Sequence, residues 1–234
     1  MAEAANEQHV KRAWWDLPLL AAELAILAAI FAVDRPGIHI IFLSKTLYLA
    51  VLAAISFQVR HCWKSVGWRV RGHWMRWVAI GLGGGLAMEA LELFFTQPLL
   101  GQLLNLHPDL SDFAEIRGNY RLLAPALVFA WTLAAFGEEF VYRGYLLNRL
   151  SGLFESMTNA RVGSGAALIV SSVIFGFAHL FQGTAGVIEN IVDGLILGAL
   201  YLGSGRRLLV PFLAHGVQDS TDFLLICFGL YPGM

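Results

Sequence analysis

Charged residues are scarce in this sequence, and so are cysteines. Only 14% of the 234 residues are charged, whereas a soluble domain averages about 25%. The two cysteines, Cys62 and Cys227, are too few for a disulfide framework and stand in no metal-binding spacing. The net charge of −1 leaves no basic surplus, which argues against a nucleic acid partner. With 57% hydrophobic residues and a mean hydropathy of +0.63, the composition is typical of a polytopic membrane protein.

Long apolar stretches recur along the chain and predict an all-α, polytopic transmembrane helical bundle of about seven spans. The predicted spans are 17–33, 38–58, 77–96, 121–142, 165–181, 185–203 and 208–228. The first follows Lys11 and Arg12, as the apolar region of a signal peptide would. It is long for such a region, carries Glu23 and leads into further spans. We therefore expect a retained signal-anchor helix.

The placement of lysine and arginine predicts that the N-terminus is cytoplasmic, because cytoplasmic segments carry most of these residues. With that orientation, twelve fall inside: Lys11, Arg12, Arg60, Lys64, Arg69, Arg71, Arg76, Arg143, Arg149, Arg161, Arg206 and Arg207. Three fall outside, namely Arg35, Arg117 and Arg121, and Lys45 lies within a span. The acidic segment 97–120 is then external. We expect the inner (cytoplasmic) membrane of a bacterium.

One integral membrane domain accounts for the whole chain, in two parts. Residues 1–120 hold the first three spans and a basic, tryptophan-rich segment, 59–76, which suits an anionic membrane surface. Residues 121–228 form the predicted catalytic core. Glycines at 81–87, and Gly194 with Gly198, would allow close helix packing.

Two adjacent glutamates and an arginine interrupt the apolar stretch of the fourth span. Glu139 and Arg143 are four residues apart, so on a helix they share a face and can form an ion pair. Glu138 points about 100° away and is not neutralised by that contact. An unpaired carboxylate in an apolar site suits a general base. An alternative is that both glutamates belong to ion pairs that pack helices.

Two later spans carry histidines in apolar surroundings. Phe175 and His179 are four residues apart, and so are His215 and Asp219, whose ring and carboxylate can converge. A single histidine of this kind is typical of a packed, hydrogen-bonded residue. Three spans that each supply a glutamate, a histidine or a histidine with an acid instead predict a site that activates water.

The set Glu138-Glu139-x-x-x-Arg143, Phe175-x-x-x-His179 and His215-x-x-x-Asp219 resembles the motifs of the CPBP family of intramembrane endopeptidases. That family includes the CAAX prenyl proteases and bacterial Abi-type relatives. The resemblance covers about residues 120–228. Many members have asparagine where this chain has Asp219, although both residues occur among relatives. The role of that position is therefore the open point.

The resemblance implies hydrolysis of a peptide bond in a membrane-associated protein or peptide. Glu138, helped by His179, would deprotonate a water, and His215 with Asp219 would stabilise the oxyanion. Asp219 would have to be protonated or to orient His215, because a bare carboxylate repels an oxyanion. Glu139, Arg143 and Phe175 would support the site.

The cofactor expectation is a site without metal, with zinc as the alternative. Two histidines and a carboxylate form a known catalytic zinc set, here Glu138, His179 and His215. The sequence lacks the HExxH motif that supplies two ligands and a base from one helix.

Two other classes of protein stay open. Glu89, Glu92, Glu189 and Asp193 also lie in apolar stretches, as in a proton-coupled transporter. A catalytically silent scaffold of the same fold is the second alternative. The sequence leaves the oligomeric state open.

The predicted spans also contain a geometric conflict. They place Glu138 and His215 near the cytoplasmic face but His179 at the outer end of 165–181. The three can meet only if that helix stops short, which Gly183 and Gly186 would permit.

Overall fold

The computed structural model of the protein describes residues 66–68, 72 and 74–232. Within them, the secondary structure consists of helices and turns, with no strand. The long helices are α1 (Trp74–Leu104), α2 (Tyr120–Met157), α3 (Ala160–Phe177), α4 (Gly183–Gly203) and α5 (Leu209–Cys227). Two short 3₁₀ helices, Ser111–Ile116 and Leu180–Gln182, lie in the connections. The all-α prediction is confirmed for this part of the chain.

Four helical stretches of the described residues are long and apolar enough to cross a bilayer. They are α1, α2, α3 and Leu180–Gly203, which is α4 with the turn before it. Large apolar side chains such as Phe94 and Leu103 are exposed on their surfaces, as expected for lipid-facing positions. α5 occupies the last predicted span but carries acids and a histidine. The predicted spans 17–33 and 38–58, and the N-terminus, lie outside the described residues.

Two helices extend beyond the predicted spans. α1 continues to Leu104, so the connection to α2 consists of 105–119 rather than 97–120. α2 continues to Met157, although its predicted span ends at 142. Its last part is held by polar contacts that hydropathy does not detect. The side-chain amide of Asn148 donates to the hydroxyl of Tyr201 (2.6 Å) and to the carbonyl of Gly144 (2.8 Å).

The extension of α2 corrects the placement of one charge. Arg143 was counted among the cytoplasmic loop residues, but it lies inside α2 and is only 3% exposed. Its guanidinium faces the interior of the bundle, where it binds Glu139. The remaining lysines and arginines carry the predicted charge asymmetry without it.

The section of α2 around the glutamates departs from regular α-helix. Ala130–Glu138 and Phe140–Leu147 have the wide turns of a π-helix, and α1 has a similar stretch at Glu92–Thr96. π-helical turns are rare and occur frequently at functional sites. The π-helical stretches of α2 and α1 contain Glu138 and Glu92, whose carboxylates lie in the same region of the interior.

Glycines allow the helices to approach closely, as their positions predicted. A Cβ added at Gly85 of α1 would lie 2.3 Å from the carbonyl oxygen of Ala214 in α5. A Cβ at Gly194 of α4 would lie 2.9 Å from Ser172 in α3. α1 therefore packs along α5, and α3 along α4, so that their polar side chains meet inside the bundle.

The two ends of the bundle have different connections. At one end, here called the 105–119 end, the amide of Asp109 donates to the carbonyl of Gln182 (2.9 Å). The hydroxyl and the backbone N–H of Ser111 hold the pKa of Asp109 below its usual value. At the opposite end, Arg206 forms an ion pair with Glu155 (3.2 Å). These two contacts join parts of the chain that are distant in sequence, one at each end of the bundle.

Candidate active site

A cavity of about 100 Å³ lies between the helices and reaches the 105–119 end. This volume has room for several waters. All four predicted catalytic residues line it: Glu138 from α2, His179 from the turn after α3, and His215 and Asp219 from α5. Phe175 lines it as well. The structure thus brings residues from three separate motifs to one place.

Glu138 faces His179 across a short gap. Its Oε2 lies 3.9 Å from Nε2 of His179 and has no hydrogen-bond partner among the described residues, although the side chain is buried. Nδ1 of His179 lies 2.9 Å from the carbonyl oxygen of Phe175. A carbonyl oxygen can only accept, so Nδ1 carries the proton and Nε2 presents its lone pair to Glu138. A separation above 3.5 Å between two polar atoms suits a bridging water.

The helix before His179 ends early enough for this residue to reach the other site residues. α3 ends at Phe177, and His179 lies in the following turn. α4 then begins at Gly183, whose φ of +74° favours glycine. Because α2 is longer than predicted, Glu138 lies near the middle of its helix rather than at one end. The geometric conflict between the predicted spans is thereby resolved.

Glu139 connects two elements of the site. It is fully buried, and its Oε1 accepts a hydrogen bond from Nη1 of Arg143 (2.7 Å). The same oxygen lies 2.9 Å from Nδ1 of His215. The spacing of four residues predicted the contact with Arg143. The contact with His215 was missed, because it joins helices 76 residues apart in the sequence.

Both ring nitrogens of His215 face carboxylates. Nδ1 meets Glu139, and Nε2 lies 3.5 Å from Oδ1 of Asp219 on the same helix. The second distance is longer than a usual N–H···O hydrogen bond, which is 2.7–3.2 Å. Asp219 is thus within reach of the ring, but it holds the ring less tightly than Glu139 does.

The ring of Phe175 packs against the charged groups of the site. Its centroid lies 4.3 Å from the guanidinium carbon of Arg143, within the range of a cation–π contact. The ring centroids of His179 and His215 lie 4.9 Å and 6.0 Å away. Phe175 therefore packs against three of the predicted site residues, Arg143, His179 and His215. The sequence motif marked the residue without indicating this packing.

The alternative zinc site would take one nitrogen from each of His179 and His215. Among the described residues, no group of three His, Cys, Asp or Glu side chains is placed to hold a metal ion. In the expected set of Glu138, His179 and His215, both nitrogens of His215 are directed at carboxylates.

The same cavity has a second group of acids, here called the acidic wing. It consists of Glu92, Glu189, Asp193 and Asp222. The first three were noted in the sequence as acids in apolar stretches, and Asp222 was missed. The signal for it was present, because 215, 218, 219 and 222 form one stripe on a helix. Glu89 is buried but does not line the cavity.

A comparison with protein families gives one match. Residues 120–221 match the family model described as type II CAAX prenyl endopeptidase Rce1-like. This segment contains the three motifs and every predicted site residue. No curated protein and no solved structure matches the chain. The resemblance to the CAAX protease family is confirmed over this segment, and together with the apolar helices it supports an integral membrane protein.

Proposed function

We propose, from the premise of that family match, that the chain is an intramembrane endopeptidase whose nucleophile is a water activated by Glu138. Its substrate is a membrane-associated protein or peptide. The observation that carries the proposal is the buried Oε2 of Glu138, which has no hydrogen-bond partner in the described part of the chain and lies 3.9 Å from Nε2 of His179. Two acceptors so placed can hold one water through its two hydrogens, which leaves an oxygen lone pair for attack.

Glu138 acts as the general base. It takes a proton from the water as the oxygen attacks the scissile carbonyl carbon, and it returns that proton to the leaving amine as the C–N bond breaks. His179 accepts the other hydrogen bond and orients the water. Because Nδ1 of His179 is held by the carbonyl of Phe175, its tautomer suits this role.

His215 stabilises the oxyanion that forms on the carbonyl oxygen. An N–H aimed at the place where charge develops contributes more to the transition state than to the ground state. Nδ1 donates its proton to Glu139, so Nε2 is the nitrogen left for the oxyanion, and it donates there as the second N–H of an imidazolium. When the substrate enters, the carboxylate of Asp219 gives up its contact with Nε2 of His215, which then faces the oxyanion. Alternatively, a protonated Asp219 donates its own hydrogen bond to the oxyanion.

The proposed site works without a metal ion, because Glu138 and His179 would bind and activate the water themselves. The test is metal analysis of the purified protein together with activity after treatment with chelator. Activity that persists with less than about 0.1 metal ion per chain would agree with the proposal. Loss of activity that zinc restores would contradict it.

Cleavage itself can be tested without a known substrate. Membrane peptides are compared by mass spectrometry between cells that produce the wild type and cells that produce Glu138→Gln. Glu115→Gln, at an exposed position outside the cavity, is the matched control. In H₂¹⁸O, new C-termini made by the wild type must carry the heavy isotope. Identical peptide profiles in all three strains would overturn the proposal.

The alternatives of a transporter and a silent scaffold gain no support from the family match. Uptake into proteoliposomes and the phenotype of Glu138→Gln distinguish them from a protease. Solute uptake without peptide cleavage would favour the transporter. Full function of the Glu138→Gln variant in the cell would favour the scaffold.

A further inference from the structure

The acidic wing lies beside the proposed catalytic residues, in the same cavity. Two of its acids share one amide donor. Nε2 of Gln218 donates to Glu92 (2.9 Å) and to Asp193 (3.1 Å). Two carboxylates that share one neutral donor are not neutralised by it. A cation placed between them would be attracted by both.

The other contacts of Glu92 are with neutral groups as well. Oε1 of Glu92 accepts from the amide of Gln97 (3.0 Å) and from the hydroxyl of Tyr231 (3.0 Å). Among the described residues, no lysine or arginine lines the cavity. Arg143, the nearby guanidinium, is engaged by Glu139. The cavity therefore has several carboxylates and lacks a matching cation in this part of the chain.

Glu189 is independent evidence for a ligand. The side chain lines the cavity and is only 4% exposed, yet its Oε1 has no hydrogen-bond partner among the described residues. A buried carboxylate without a partner is strongly unfavourable. Such a carboxylate is expected to bind a ligand that enters the cavity.

The wing lies within reach of a residue next to the bond that would be cleaved. His215 and Asp222 share one face of α5, seven residues apart, which corresponds to about 10 Å along the axis. The long aliphatic stems of lysine and arginine can extend over such a distance through apolar surroundings with the charge at the tip. A substrate backbone at Glu138 would thus place a neighbouring side chain among these acids.

We infer that the acidic wing is a specificity subsite that binds a cationic side chain, lysine or arginine, of the peptide presented to Glu138. In its link to cleavage the inference rests on the proposed function. The subsite selects peptides by charge complementarity, since an uncharged side chain of equal length leaves the carboxylates without a partner. Carboxylates from α1, α4 and α5 would converge on one ammonium or guanidinium group.

Binding tests the subsite separately from catalysis. The full chain carrying Glu138→Gln is purified in detergent, so that bound peptides stay intact. The probes are fluorescent apolar peptides with a single lysine at successive positions, each matched by a peptide with norleucine, which has a similar length and no charge. Dissociation constants come from fluorescence anisotropy. We expect at least one lysine peptide to bind at least ~10-fold more tightly than its norleucine partner.

Added substitutions locate the preference within the cavity. Glu189→Gln and Asp193→Asn preserve side-chain size, and each should reduce the lysine preference to less than ~3-fold. Glu115→Gln, the exposed control, should leave it unchanged. A photo-crosslinking lysine peptide gives a reading that requires no substitution in the wing. Its crosslinks should fall within 189–193 and 218–222.

Several outcomes would overturn the inference. They are equal affinity of the paired peptides, no binding of either, a preference that survives both substitutions, and crosslinks elsewhere. A lysine preference in a protein that cleaves nothing would contradict the proposed function alone. Cleavage without the preference would contradict the subsite alone.

Discussion

Glu139 binds His215 through the same carboxylate oxygen that binds Arg143, at 2.9 Å and 2.7 Å. The ion pair inside α2 is thereby connected to a ring on α5. Glu139 therefore has two roles: it neutralises a buried guanidinium, and it fixes the orientation of the proposed oxyanion donor. Glu138, one residue earlier, makes neither contact and faces the cavity. Two adjacent residues of the same type should therefore respond differently to the same substitution.

Glu138→Gln should abolish cleavage and leave the fold intact. An amide of the same size cannot accept the proton of the water, and general-base catalysis contributes about 100–10,000-fold to the rate. No described hydrogen bond is lost, so the melting temperature in detergent should stay within about 2–4 °C of the wild type. The measurements are the cleavage rate and the thermal melt. A variant that cleaves at the wild-type rate would exclude Glu138 as the base.

Glu139→Gln should lower stability as well as activity. The substitution leaves Arg143 buried without its anion, which typically costs about 3–5 kcal/mol, although the amide oxygen can still accept one hydrogen bond. It also weakens the contact with His215, so the protein that remains folded should cleave more slowly. Thermal melts compare this variant with Glu138→Gln. An equal loss of stability in the two would contradict the division of roles.

The sequence allowed prediction of contacts that depend on spacing within one helix. Glu139–Arg143 and His215–Asp219 are four residues apart, and helix geometry alone puts such side chains together. Glu139–His215 and Gln218–Glu92 join residues 76 and 126 positions apart. Those pairs depend on how the helices pack, which periodicity does not determine.

Hydropathy likewise predicted where apolar helices exist but not where they end. α2 passes its predicted end because Arg143 and Asn148 are polar residues directed into the bundle, where they find partners. A hydropathy window treats such residues as the beginning of a loop. The meeting of Glu138 and His179 depends on the same effect. Because α2 is extended, Glu138 lies at the level of the turn that contains His179.

Phe175→Leu should reduce activity more than stability. The ring contacts the guanidinium of Arg143 at 4.3 Å and both histidines, and leucine keeps much of the volume without the flat face. Loss of the cation–π contact should cost about 0.5–2 kcal/mol. Rates and melts of Phe175→Leu are compared with those of Phe113→Leu, a cavity residue whose ring packs against Phe223. An unchanged rate for Phe175→Leu would indicate that the ring does not position the histidines.

Two glycines of α1 provide a matched test of helix packing. Gly85→Ala should destabilise the bundle by about 1–3 kcal/mol, because its Cβ would lie 2.3 Å from the carbonyl oxygen of Ala214. Gly83→Ala meets nothing within 4 Å and should be neutral or stabilising by up to about 1 kcal/mol, since alanine favours helix. Unfolding is followed by thermal melting in detergent. Equal melting temperatures for the two variants would contradict the close contact between α1 and α5.

The last prediction concerns Asp219, the site residue whose role the sequence left open. Its Oδ1 lies 3.5 Å from Nε2 of His215, while Nδ1 of the same ring is held by Glu139. Asp219 can act by orienting the ring or, in the protonated form, by donating to the oxyanion. An asparagine preserves an acceptor for the ring and provides an amide donor for the oxyanion. Asp219→Asn should therefore retain activity within about 10-fold of the wild type.

Asp219→Ala removes the acceptor and the donor together. The loss of one oxyanion-hole donor costs about 100–1,000-fold in kcat, and a loss in this range is expected here with little change in KM. The melting temperature should change little, because the contact with His215 is long and Glu139 still holds the ring. A loss confined to KM would place Asp219 in substrate binding instead, as a fifth member of the acidic wing. If Asp219→Ala cleaves as fast as the wild type, Asp219 takes no part in the reaction, and His215 alone faces the oxyanion.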